Sequence, residues 1–224
     1  VDSVPASSLT KIRSAWRKHQ KETPDFEQFV REHFVLPEII VPPRGEDAHD
    51  EKNSSDVRAY VTRTWKSLTR DADVPNDGSS RLELPRPYVV PGGRFREIYY
   101  WDSYFTIVGL RENGEDQLIE DMVANFAHLI KTYGFIPNGN RSYYLSRSQV
   151  PFFSLMVQLL AAVRGPNVYR THLSAMVAEY EFWMRGKWHI WSDSVEMSEH
   201  VVRMPDGELL NRYYDMRDEP REES

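Results

Sequence analysis

One short segment of the sequence concentrates side chains that could bind or react with a polar ligand. It reads PGGRFREIYYWDSY over residues 91–104 and contains Arg94, Glu97, Trp101 and Asp102. Guanidinium and carboxylate groups recognise hydroxyls, and an indole ring offers a flat apolar platform. The two carboxylates also suggest acid–base chemistry, but they lie in one short segment and would not readily flank a ligand from opposite sides.

Two later segments carry the same kinds of polar and aromatic residues. A sugar presents many hydroxyls on a ring with one apolar face, so it suits a site built from arginines, amides, carboxylates and an aromatic platform. The three segments together therefore favour a sugar-binding site. The later candidates are Asn138, Asn140, Arg141, Arg147, Ser148 and Gln149, followed by Arg212, Asp215, Arg217, Arg221 and Glu223.

Each candidate residue also has a purely structural interpretation. Arg94 could pair with Glu97 or Asp102 on the surface, Trp101 could belong to the core, and the Asn-Gly pairs could be turn residues. For a single residue the structural interpretation is the simpler one. The occurrence of three such segments in one chain reverses that preference.

Composition and motifs exclude several other classes of function. The 28 Lys and Arg are scattered and outweighed by 34 Asp and Glu, for a net charge of -6, so nucleic acid is not an expected partner. No apolar run approaches the roughly 20 residues that cross a bilayer, so a membrane is not expected either. The chain has no Cys and no H-x-x-x-H pair, so we expect no metal or other cofactor. A phosphate-binding loop and a G-x-S-x-G nucleophile motif are also absent from the sequence.

Helical periodicity dominates the first part of the chain. Apolar residues recur at helical spacing after Leu9 and after Asp25, and Ser55 or Asp56 is expected to cap a third helix. Polar and proline-rich stretches separate these helices. Residues 1–98 are thus predicted to form N-terminal helices and extended loops.

The second part of the chain, residues 99–224, is predicted to consist of helix pairs with ligand-binding loops. Helices are expected at residues 101–110, 118–129, 152–163 and 172–184. The last of them carries Leu173, Met176, Val177, Tyr180 and Trp183 at helical spacing. A small β-hairpin is expected where two apolar runs flank Pro-Asp-Gly, so the fold class is all-α with long loops and one hairpin.

Three segments taken together also match the pattern of a known enzyme family. They read PGGRFREIYYWDSYF, IPNGNRSYYLSRSQ and LLNRYYDMRDEPREES, with support from FVREHFVLPE and DMVANFAHLIKTYG. This pattern resembles the trehalases, glycoside hydrolases that split α,α-trehalose into two glucose molecules. The resemblance covers nearly the whole chain and implies an (α/α)6 toroid, a double ring of helix pairs with its pocket at one end. Residues 1–224 would then be a single partial catalytic domain, about the first half of the toroid.

The resemblance also implies which residues contact the sugar hydroxyls. Many trehalases read RPES where this chain reads REES, so Glu222 stands in place of a proline while the neighbouring contact residues are kept. That substitution bears on the rigidity of the last loop. The implied contacts are Arg94, Trp101, Asp102, Asn138, Arg147, Ser148, Gln149, Arg221 and Glu223.

The groups that would break the glycosidic bond are not expected in this chain. The resemblance implies an inverting mechanism with an Asp in a GWDFS-like motif as acid and a Glu near a QWDxPxGW-type motif as base, and neither motif occurs here. We therefore expect the acid and base beyond Ser224. The chain alone should be inactive, and the C-terminal half of the same enzyme becomes an expected partner beside trehalose and glucose.

Two alternatives and two locations stay open on the sequence alone. The chain could belong to a non-catalytic sugar-binding or regulatory protein that kept the contacts and lost the acid and base. It could also be a helical scaffold without a ligand. Periplasmic and cytoplasmic trehalases share these motifs; the cytoplasm is the expectation and the periplasm the alternative.

Overall fold

The fold is built mainly from helices, which confirms the predicted all-α class. The computed structural model describes residues 3–22, 25–36, 54–192 and 196–220. A 3-10 turn at Ser142–Tyr144 interrupts the long loop after the fifth helix. In chain order the helices are α1 (Leu9–Glu22), α2 (Phe26–His33), α3 (Ser54–Leu68), α4 (Tyr100–Glu112), α5 (Asp116–Tyr133), α6 (Phe153–Arg164), α7 (Asn167–Trp183) and α8 (Lys187–Ser192).

Short antiparallel strands form small sheets beside the helices. The predicted hairpin is confirmed, because β6 pairs with β7 and the intervening Pro-Asp-Gly turn places Gly207 at a φ of 91°. A third strand, β5, extends this sheet and was not predicted. The strands are β1 (Val4–Pro5) with β2 (Phe34–Val35), β3 (Thr69–Arg70) with β4 (Tyr88–Val89), and β5 (Met197–Ser198), β6 (Val201–Arg203) and β7 (Leu209–Asn211).

The helix boundaries follow the sequence signals in some places and not in others. Asp25 caps α2 as predicted, since its side chain accepts the backbone N–H of Gln28 at 3.0 Å. The prediction that Ser55 or Asp56 caps α3 is wrong, because the helix already begins at Ser54. Helix α8 was not foreseen, since six residues are too few to establish a helical period.

The hydrophobic core lies among α4, α5, α6 and α7. Helix α6 packs against each of the other three, and Ile107, Phe126 and Met156 are fully buried between them. Burying such a side chain contributes about 1.5–3 kcal/mol. This packing of successive helices is consistent with part of an (α/α)6 toroid.

One side of α7 packs on the core and the other side is exposed. Phe182 and Trp183 are buried, whereas Leu173, Val177 and Tyr180 are 56%, 46% and 59% exposed. The helical spacing of the apolar residues identified the helix correctly, but it did not separate the buried side from the exposed one.

A hydrogen bond between two buried side chains ties α4 to α7. The hydroxyl of Tyr100, the first residue of α4, donates to the carboxyl of Glu179 in α7. Tyr100 is fully buried and Glu179 is 6% exposed. Burial disfavours the charged carboxylate and raises the pKa of Glu179 to about 7.

Replacing Glu179 by glutamine should remove part of the pH dependence of folding stability. The folded pKa exceeds the unfolded value of about 4.5, so the native state holds a proton that the unfolded chain releases. In the wild type, the titration of Glu179 should thus lower the free energy of unfolding by roughly 1–3 kcal/mol between about pH 4.5 and 7. Above pH 7 the effect of this residue should be constant, and E179Q should lack it altogether. Urea unfolding across this range measures the effect as the difference between wild type and E179Q. Parallel pH profiles for the two proteins would contradict the prediction.

Candidate functional site

The first wall of the candidate site is the turn that leads into α4. Gly92 and Gly93 have φ of 89° and 62°, a region that other residues rarely adopt, and they turn the chain sharply before Arg94. The N–H of Phe95 donates to the carbonyl of Gly92 at 3.1 Å and closes the turn. The chain then runs in extended conformation into α4, where Trp101 lies in the first turn and is 42% exposed.

The second wall is the loop between α5 and α6, which is joined to the first wall through backbone hydrogen bonds. The N–H of Tyr100 donates to the carbonyl of Asn138 at 3.2 Å. The N–H of Asn138 donates in turn to the carbonyl of Arg147 at 3.1 Å, so the two ends of the loop lie side by side. The side chain of Gln149 closes the junction, since its Oε1 accepts the N–H of Trp101 at 3.1 Å.

Three residues that the sequence suggested as ligand contacts serve instead to hold these walls together. Glu97 pairs with Arg141, with Nε to Oε1 at 2.6 Å, and each side chain is only 2% exposed. Asn140 is fully buried, where its Oδ1 accepts the N–H of Ile98 and its Nδ2 donates to the carbonyl of Leu82. The structural alternative in which Arg94 pairs with Glu97 on the surface is therefore wrong, because Glu97 is buried against Arg141.

The third wall is the chain that follows the β-hairpin. The N–H of Met216 donates to the carbonyl of Ser146 at 3.1 Å, which fixes this segment against the second wall. The guanidinium of Arg147 reaches Oδ2 of Asp215 at 3.6 Å and lies 5.0 Å from the centre of the Tyr144 ring. Arg147 is thus held between a carboxylate and an aromatic face, both of which favour its charge.

These three walls border a cavity of about 490 Å³ that is open to solvent on one side, within the usual size of small-molecule sites. Its lining combines one indole ring, two phenol rings, amides, a hydroxyl and one Arg–Asp pair. The lining residues are Trp101, Asn138, Arg147, Ser148, Gln149, Tyr213, Tyr214 and Asp215.

The structure brings together five of the nine residues predicted to contact a ligand, namely Trp101, Asn138, Arg147, Ser148 and Gln149. Arg94 and Asp102 are both exposed and do not line this cavity. Arg94 lies instead over the ring of Phe95, with its Cζ atom 5.0 Å from the ring centre. The predicted contacts Arg221 and Glu223 lie outside the described residues.

Two aromatic residues of the cavity were not singled out by the sequence. Tyr213 and Tyr214 follow Arg212 directly and line the third wall beside Asp215. The signal that could have identified them is the run RYYD, in which aromatic platforms adjoin a carboxylate, as in the first wall. Arg212, by contrast, does not line the cavity, and its Nε donates to the carbonyl of Glu199 at 2.7 Å.

The arrangement is suited to binding a neutral, hydroxyl-rich molecule. Gln149 uses its oxygen to accept from Trp101, so its amide nitrogen is the donor end, while the amide of Asn138 offers both donors and an acceptor. The hydroxyl of Ser148 donates to the carbonyl of Gln149 at 3.2 Å and keeps its lone pairs as acceptors. Asp215 is the carboxylate among the described lining residues, and it lies against Arg147. No group of His, Cys, Asp and Glu in the described part of the chain could hold a metal ion.

Among the residues that the structure describes, no helix is both long and apolar enough to cross a bilayer.

Comparison with known proteins identifies one family over the whole chain. A family model described as Trehalase matches residues 1–224. The periplasmic trehalases of Escherichia coli O6:H1 and of Shigella flexneri serotype 5b are each 48% identical over 227 residues. Each alignment covers 100% of this chain and 38% of the relative, so the chain spans well under half the length of these proteins.

A solved structure from a more distant organism also matches. The neutral trehalase Nth1 from Saccharomyces cerevisiae is 27% identical, with a TM-score of 0.41 over 80% of this chain and 31% of that chain. The family itself is shown by the family model, because its match extends over every residue of the sequence. The chain belongs to the trehalase family.

Proposed function

We propose that this chain is the substrate-binding part of an inverting trehalase that hydrolyses α,α-trehalose to two glucose molecules. The observation that carries the proposal is the cavity in which Trp101, Asn138, Arg147 and Gln149 meet in a member of this family. These groups suit a sugar because they offer hydrogen bonds in several directions around one flat aromatic surface.

Each lining residue has a role in the proposal that follows from its chemistry. The indole of Trp101 packs against the apolar face of one glucose ring. The guanidinium of Arg147, charged and held by Asp215, donates to sugar hydroxyls. Asn138, Ser148 and Gln149 complete the contacts with their amide and hydroxyl groups.

Four predicted contacts lie outside the cavity lining and stand as proposals from the family resemblance. Arg94 and Asp102 are exposed residues of the segment that forms the first wall. Arg221 and Glu223 follow the third wall in sequence, six and eight positions after Asp215. Their positions in the chain support a continuation of the site beyond the described residues.

The proposed reaction needs two carboxyl groups that this cavity does not provide. Inverting hydrolysis requires a general acid and a general base roughly 6.5–9.5 Å apart on opposite sides of the bond. Asp215 lies against Arg147, while Glu97 and Glu179 are buried against Arg141 and Tyr100. Because these carboxyl groups are already paired or buried, they support an acid and a base located beyond Ser224.

The expected partner, the C-terminal half of the same enzyme, has a suitable surface to pack against. Leu173, Val177 and Tyr180 form an exposed apolar stripe on α7, and Phe105 on α4 is 57% exposed. Apolar surface of this kind is normally covered in a folded protein. We propose that the remaining helices of the toroid cover it and supply the catalytic groups.

The proposed location is the periplasm. The similar proteins described above are named periplasmic trehalases, which supports the periplasmic alternative. The expected cytoplasmic location gains no support from them.

Replacing Arg147 by alanine should weaken trehalose binding by about tenfold to a hundredfold. The substitution removes charged hydrogen bonds, which typically contribute roughly 1.5–3 kcal/mol each, and it removes the positive charge beside Asp215. Calorimetric titration of the intact protein with trehalose measures the change. Arg164→Ala is the matched control, because Arg164 also pairs with a carboxylate, Glu120 at 2.9 Å, but does not line the cavity. Equal affinities for R147A and R164A would contradict the assigned role of Arg147.

The isolated 224-residue chain should release no glucose from trehalose, because it lacks the acid and base of the proposed mechanism. Adding a separately produced C-terminal half of a trehalase should restore turnover in a glucose-release assay. A mixture with an unrelated protein of similar size serves as the control. Turnover by the isolated chain would sink the proposed placement of the catalytic groups. Sugar binding without turnover in the intact protein would instead favour the non-catalytic alternative.

A further inference from the structure

The hydroxyl of Tyr100 connects three helices at one point behind the cavity. It accepts the backbone N–H groups of Phe152 and Phe153, at 2.9 and 2.8 Å, where α6 begins. It also donates to the carboxyl of Glu179 in α7. One oxygen atom on α4 therefore fixes the start of α6 and the middle of α7.

The direction of the Tyr100 proton follows from counting the bonds of that oxygen. A phenol oxygen has two lone pairs and one proton. The two backbone N–H groups occupy the lone pairs, so the proton must point to the carboxyl of Glu179. Without an acceptor at position 179, a buried O–H group would be left unsatisfied and the arrangement would shift to relieve it.

The same tyrosine adjoins the cavity on its other side. Its backbone N–H donates to the carbonyl of Asn138, and the next N–H, that of Trp101, donates to Gln149. Phe152, which Tyr100 holds through its hydroxyl, lies three positions after Gln149 in the chain. A displacement of Tyr100 would therefore move Trp101 and Gln149 relative to each other.

We propose that Tyr100 and Glu179 are positioning residues of the binding cavity, in which Glu179 fixes the Tyr100 hydroxyl and thereby aligns Trp101 with Gln149. The ligand in this inference is trehalose, so it rests on the proposed function. Neither residue lines the cavity, and both act through the backbone that carries the contact residues. A merely structural bond between helices would stabilise the fold without affecting the ligand.

The test compares two buried tyrosines in the intact protein. Y100F removes the proposed positioning hydroxyl and keeps the ring. Y88F is the matched control, because Tyr88 is equally buried and its hydroxyl bonds Arg81 and Asp73, at 2.7 and 2.9 Å, away from the cavity lining. We expect Y100F to weaken trehalose binding by about tenfold and Y88F to change it less than about twofold, while both lower the melting temperature.

A spectroscopic measurement reports on the alignment without any ligand. Tyr100–Trp101 is the single Tyr-Trp pair of this sequence, so ¹³C-carbonyl tyrosine with ¹⁵N-tryptophan identifies the Trp101 amide of the chain. Because this N–H donates to Gln149, its proton shift should change in E179M, which removes the oxygen acceptor of the Tyr100 hydroxyl but keeps the labelled pair, and it should stay near the wild-type value in Y88F.

Variants of Glu179 test the same hydrogen bond from the acceptor side. They replace the Y100F comparison if Y100F does not fold. E179Q keeps an oxygen acceptor and should bind trehalose within about twofold of wild type, whereas E179M, which lacks one, should be weakened about tenfold. The inference would be overturned by equal trehalose affinities for E179Q and E179M, or for Y100F and Y88F, together with an unchanged chemical shift of the Trp101 amide. If the wild-type protein bound no trehalose, the proposed function would fail, and the Trp101 amide would still decide the positioning role.

Discussion

Glu97 and Arg141 form an ion pair that is almost wholly buried, and this pair joins the first two walls of the binding cavity. Arg141 also donates to Ser80 at 3.1 Å, while the second carboxylate oxygen of Glu97 accepts the N–H of Arg96. These added hydrogen bonds compensate for the cost of taking both charges out of water. Removing one partner of such a pair typically costs about 3–5 kcal/mol, so the first two walls of the cavity are strongly constrained to stay together.

The polar residues of the first two walls form two layers, one buried and one facing the cavity. The inner layer, with Glu97, Asn140 and Arg141, is buried and bonds to itself and to the backbone. The outer layer, with Trp101 and Arg147, faces the cavity. A ligand therefore meets groups that are already held in place, which reduces the entropy lost on binding.

The sequence predicted the helical class, the hairpin and most helices, because these depend on local periodicity and turn chemistry. Residue types alone could not separate the two polar layers, since Arg141 and Arg147 lie in one loop and differ in the long-range contacts that bury Arg141; the family resemblance did separate them, because it named Arg147 and left out Arg141. The spacing of apolar residues in α7 likewise does not distinguish its buried side from its exposed side. The pairing of Tyr100 with Glu179 is also invisible locally, because the two residues are 79 positions apart.

The walls of the cavity are joined largely through the main chain, and this has a consequence for how the site can change. The bonds from Tyr100 to Asn138, from Asn138 to Arg147 and from Met216 to Ser146 all use backbone groups. Such bonds form with almost any side chain at those positions. The identity of the residues at 138 and 147 can therefore be exchanged while the frame is conserved. A scaffold of this kind lets selection, or a protein engineer, alter which ligand is preferred without having to rebuild the pocket.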